Sequence, residues 1–271
     1  MKEIKLNIIS LVLIVVAVIT ITSLVVIEIV KYYGDGQVLL NSDIEEVKVN
    51  SQYGEYISSY INKIWLGLEI YDDNIAEFQN IKSAPTDYLA TCAVFNLDDS
   101  MHTLNDFNDS LIKLFGKEAD GLIQESDIEN VFSVEKNEDG TYYRWGFCGS
   151  ETSFNDYVIN KISKQNNIFT VSLLEYKTIL DNMTLDLEEG ESTQCHIYDK
   201  KDNLILTTTI KAEKDGDTMT YIEYDENGNK IDSVEHLLLT KYIDKLSVRN
   251  IQLEHDSSDF SFIMVSNELL K

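Results

Sequence analysis

The chain holds 47 acidic against 22 basic side chains in 271 residues, a net charge of −25, and 44% of its residues are hydrophobic. So small a share of Lys and Arg argues against a nucleic-acid partner, whose phosphates are bound by displacing counterions with cationic side chains. It equally disfavours anionic lipid surfaces, and the excess acid reads as a solvated, self-repelling surface around a globular interior.

Leu6 to Ile27 (LNIISLVLIVVAVITITSLVVI) is an uninterrupted uncharged run. At 1.5 Å per residue it makes a helix of roughly 33 Å, which matches the ~30 Å hydrocarbon layer of a bilayer. Lys2 and Lys5 precede it, while Asp35, Asp43, Glu45 and Glu46 follow it. The positive-inside rule then leaves the N-terminus in the cytoplasm and sends the bulk of the chain across. Tyr32 and Tyr33 fit an outer interfacial belt. A cleaved signal peptide would carry a shorter apolar region ending in small residues, so the run reads as an uncleaved signal anchor. The expected organisation is a cytoplasmic tail at 1–5, a transmembrane anchor at 6–30, a stalk at 31–50 and an extracytoplasmic domain at 51–271.

From Tyr53 the apolar residues Tyr56, Ile57, Tyr60, Ile61, Ile64, Trp65 and Leu68 recur at 3–4 spacing and predict an amphipathic helix of about 24 residues. A second helix is expected from Pro85, and a third between a Thr103 cap with Asp106 and a Gly116 stop. From about residue 130 the period changes to two. VFSVEK and TYYRWGF flank a turn ending in Asp139-Gly140, and YVINKI and IFTVSLLEY flank SKQNN; CHIYD, LILTTTI, MTYIEYD, LSVRNIQL and FSFIMV continue the pattern. VEHLLLTKYI fits helix or strand equally. Helices over about 51–116 followed by strands over about 130–266, built from antiparallel hairpins, define an α+β fold.

Tyr198-Asp199-x-x-Asp202-Asn203 and Tyr224-Asp225-x-x-Gly228-Asn229 form a short internal repeat. It resembles the Tyr-Asp turn of bacterial surface YD repeats over these two turns, and two similar hairpins account for it. Asp225, Asn227 and Asn229 do not make a calcium loop, because Gly228 and His236 fall where an EF-hand needs other residues, so a tight turn is expected. Ser110-Leu111-Ile112-Lys113 matches S-x-x-K without its companion elements. His102, His196, His236 and His255 have no metal spacing, and no cofactor motif occurs. Cys195 and His196 would point to opposite faces of a strand. Cys92, Cys148 and Cys195 are an odd set, with a Cys148–Cys195 bridge left open.

One segment has recognition character. If Tyr143, Trp145 and Phe147 share the buried face of a strand, Tyr142 and Arg144 lie on the other, where a ring and a guanidinium can stack on a sugar or grip an acid; these two are the candidate ligand-binding residues. With only two arginines and one proline, the composition resembles that of proteins from AT-rich bacterial genomes. The resulting expectation is a single-pass protein of the bacterial envelope. Its domain binds a protein or glycan partner without catalysis, and a membrane-tethered hydrolase of cell-wall or peptide substrates is the rival.

Overall fold

A computed structural model of the chain describes residues 44–70, 77–145, 153–181, 187–215, 218–256 and 261–270, with side chains for all of these except 66–70, 153, 154, 215 and 256. The apolar run 6–27 and its flanks lie outside them. Among the described residues no helix is long and apolar enough to cross a membrane.

In chain order the elements are β1 (Glu45–Val47), α1 (Gln52–Ile70), α2 (Thr86–Phe95), α3 (Leu104–Phe115), α4 (Glu125–Glu129), β2 (Val134–Lys136), β3 (Tyr142–Arg144), β4 (Ser153–Gln165), β5 (Ile168–Leu180), β6 (Ser192–Tyr198), β7 (Leu204–Asp215), β8 (Thr218–Tyr224), α5 (Val234–Lys241), β9 (Ser247–Asp256) and β10 (Ser261–Leu270). The fold is α+β. One antiparallel curled sheet holds eight strands, and β2 and β3 form a separate hairpin.

The helices begin where local chemistry lets them. Thr103 accepts the Asp106 amide while Asp106 accepts from the Thr103 amide, so each covers an amide the first turn leaves open. Gly116 ends α3 at φ 78°. Ser233 caps α5 by accepting from the His236 amide at 3.1 Å, which resolves VEHLLLTKYI as helix. Ile57, Ile61 and Ile64 of α1 are buried as the spacing predicts, whereas Tyr56 stands largely exposed.

Within the span expected as a stalk, Glu45, Glu46 and Val47 pair with Lys164, Ser163 and Ile162 of β4. The chain then turns into α1 so tightly that a Cβ on Gly54 would stand 2.1 Å from the Val49 carbonyl oxygen. A Gly54→Ala change should therefore cost about 1–3 kcal/mol by forcing this turn apart, read as a lower urea midpoint. An unchanged midpoint would mean the turn opens freely.

β5 organises the interior. Its residues Phe169, Val171 and Leu173 face one side and pack with α1 to α4 in a core that includes Ile57, Leu89, Leu111, Ile251 and Leu253. Leu174 and Tyr176 face the other side and meet Leu238 of α5, with Cys195, Ile197 and Leu206. Two bulges adjust which residues reach the helices. In β4 the register skips a residue between Ile159 and Lys161, and in β10 between Met264 and Ser266. The second skip changes the inward series on β10 from even to odd numbers, so that Asn267 stands opposite Ile251.

Three hairpins share one turn. Asn137, Asp199 and Asp225 each donate their amide to the carbonyl four residues on, at 2.8–3.0 Å, and accept the amide of the third residue on through their own carbonyl. The fourth residue of each turn has positive φ: Gly140, Asp202 and Gly228. The Asp199 and Asp225 carboxylates accept two amides each from within the turn. This is the repeat seen in the sequence, built as tight turns. The Asn229 side chain and amide hold the Asp225 carboxyl below its ordinary range.

Candidate functional site

β5 is flanked on one side by β4 along its whole length, but on the other by two strands in succession. β9 pairs from Ile168 to Glu175, and β6 takes over at Lys177. The sheet therefore forks at Tyr176. A cleft of about 450 Å³ opens at the fork, lined among others by Trp65, Asp156, Glu175, Lys177, Lys200 and Arg249.

The floor is polar where the preceding rows are apolar. Continuing the inward series Phe169, Val171 and Leu173 brings Glu175, and continuing Leu253 and Ile251 on β9 brings Arg249; each is 1% exposed. Arg249 Nε donates to Glu175 Oε1, and Arg249 Nη1 donates to Asn267 Oδ1 at 2.9 Å. Lys200, carried by the β6–β7 turn, closes on Glu175 Oε2 as an ion pair rather than as a well-aligned hydrogen bond. Burial lowers the Lys200 ammonium below its ordinary range, against the pull of Glu175.

Asp156 and Lys177 of the cleft are also engaged. Asp156 accepts the Tyr157 amide at 2.7 Å and the Tyr176 hydroxyl at 3.2 Å. Burial pushes its carboxyl up. Lys177 lies 3.5 Å from Asp202. Glu175 thus sits between two cations, Arg249 from β9 and Lys200 from the β6–β7 turn, and ties the two arms of the fork together.

The aromatic hairpin is placed with its faces reversed. Tyr142, expected on the wet side, is 1% exposed, because mutual 2.8 Å backbone bonds with His102 lay it edge-on against Phe107. Trp145, expected in the core, is 42% exposed and meets Phe132, itself 51% exposed, at 5.6 Å between ring centroids. Arg144 pairs with Asp99 and lies 4.9 Å over the Phe95 ring. Tyr142 and Arg144 thus point to different surroundings, and Phe147 and Cys148 lie outside the described residues. Beside the hairpin, Ser133 holds φ 67° while buried, and its hydroxyl finds no partner among the described residues. Ser133→Gly should stabilise the fold by about 0.5–1 kcal/mol, because relief of strain and of an unmet hydroxyl outweighs the extra freedom of the unfolded chain. A lower thermal midpoint would contradict this account.

Cys195 points inward and His196 outward, as strand alternation requires. His196 Nδ1 lies 2.9 Å from Thr207 Oγ1 and its Nε2 lies 3.0 Å from Asp181 Oδ1. Cys92 and Cys195 are buried free thiols. Burial pushes them up to about 12 and about 11 respectively. Neither is a ready nucleophile.

The fork residues escape a motif search because they are far apart in sequence. Their signal was an acid on the inward series of IFTVSLLEY and one of the chain's two arginines on the inward series of LSVRNIQL. Comparisons with protein-family models, curated proteins and solved structures find no match.

Proposed function

We propose that this chain is a single-pass membrane-anchored protein of the bacterial envelope, whose extracytoplasmic domain binds a protein or glycan partner without catalysis. The anchor is the run Leu6 to Ile27, oriented by Lys2 and Lys5 before it and acids after it. The observation that supports binding is the Phe132–Trp145 pair on the hairpin: two tilted, partly exposed rings on an otherwise strongly acidic chain are a ready contact for a sugar face or an apolar side chain. Arg144 and Tyr143 flank it.

Replacing Phe132 and Trp145 together by Ala should abolish capture of the partner or of purified wall glycan. The urea midpoint should hardly move, since both rings already face water. Equal capture by the double variant would remove the hairpin from the binding surface. External protease on intact cells should digest the domain and spare an anchor stub, and full protection would overturn the topology.

The rival reading, a tethered hydrolase, is favoured by the Thr207–His196–Asp181 chain of hydroxyl, imidazole and carboxylate. It predicts release of labelled wall fragments or peptides that is lost in His196→Asn. Turnover unaffected by that change, or no turnover, would dismiss this relay.

A further inference from the structure

We propose that the pocket between α1, α3 and β10 binds a phosphate group carried on a small organic body. The pocket measures about 290 Å³ and is independent of the hairpin and of the fork. Its lining reverses the chain's overall balance. Acidic residues outnumber basic ones 47 to 22 in the sequence, yet the pocket presents Lys63 from α1 and Lys113 from α3, and none of the described residues that line it is acidic. Neither lysine belongs to an ion pair among the described residues, where the paired lysines are Lys82, Lys136, Lys177 and Lys200.

The helices that carry both lysines are tied to each other. Asn96 donates to the Lys63 carbonyl at 2.8 Å and to the Cys92 carbonyl at 2.9 Å, which ties α1 to the end of α2. Ser110, one turn before Leu114 on α3, is buried and donates to the Ala93 carbonyl at 3.3 Å. The lysines thus project from helices stitched together beneath them. Ser59 also lines the pocket, while Tyr56 and the buried Phe262 supply an apolar wall.

Ammonium groups are compact point charges that suit the several oxygens of a phosphate, whereas a planar carboxylate is better met by the arginine fork. Both arginines of the chain are engaged elsewhere, Arg144 with Asp99 and Arg249 with Glu175. The apolar wall beside the charges selects an ester over the bare ion. The net charge of −25 repels long polyanions and leaves a small phosphoester as the fitting ligand.

The test is calorimetric titration of the full chain in a nonionic detergent with phenyl phosphate, inorganic phosphate and acetate. Phenyl phosphate should bind most tightly and acetate least. Lys63→Gln with Lys113→Gln should weaken both phosphates at least about tenfold, and Lys63→Arg with Lys113→Arg should retain them. Lys230→Gln with Lys241→Gln, at two exposed lysines outside the pocket, should change nothing. Inorganic phosphate binding as tightly as the ester would overturn the ester assignment. Absence of binding of either phosphate up to about 10 mM, or equal binding by the doubly glutamine-substituted chain with an unaltered thermal midpoint, would overturn the site itself.

Discussion

Tyr60→Phe should lower the unfolding free energy by about 2–4 kcal/mol, a large effect for the loss of one oxygen. The Tyr60 hydroxyl donates to the Leu114 carbonyl and accepts the Met264 amide at 2.8 Å. Leu114 sits in the last turn of α3, where carbonyls have no intrahelical partner, and Met264 sits at the β10 bulge, where the ladder is interrupted. A single hydroxyl therefore closes two backbone valences in a buried place, and burial holds the phenol far above its usual range. Phenylalanine keeps the ring and its packing, so the whole loss measures the two orphaned groups. Urea unfolding followed by far-UV circular dichroism reads it out. A loss below about 0.5 kcal/mol would show that water reaches both groups.

The fork should be as sensitive. Glu175→Gln strands the Arg249 guanidinium without its adjacent counter-charge, and Arg249→Met leaves Glu175 to Lys200 alone. Each should cost about 3–5 kcal/mol, because a buried charge that loses its partner keeps its desolvation penalty. Replacing both, Glu175→Leu with Arg249→Met, should cost clearly less than the sum of the two. A double-mutant cycle in urea measures the difference. Strict additivity would mean the two residues act separately, and the cluster would cease to explain why the strands part at Tyr176.

Much of this architecture is legible from periodicity and end chemistry. Thr103 with Asp106, Pro85 before α2, Asp139-Gly140 in the first hairpin and the Phe169, Val171, Leu173 series all act through neighbours a few residues away. What escapes is set by distant contacts. Tyr142 and Trp145 exchange faces because His102, forty residues upstream of Tyr142, pairs with it across a gap no local pattern spans. The bulge residues Asn160 and Val265 look like any others in an alternating strand, yet each shifts every later side chain to the opposite face. Without the second bulge Ser266, not Asn267, would stand opposite Ile251, and Arg249 would lose its amide partner. The fork cluster needs a strand, a turn and two bulged neighbours at once, so its members read individually as ordinary charged residues.

The pairing of β1 also gives the domain a mechanical character. Load entering the chain at Ile44 falls first on a ladder of three residue pairs and then on the Gly54 turn. So short a strand peels before the long β4–β5 ladder feels any force, and it frees residues 44–51, about 25 Å of extended chain. The first strand is therefore the part of the described domain expected to yield first under tension applied at Ile44, ahead of the long β4–β5 ladder.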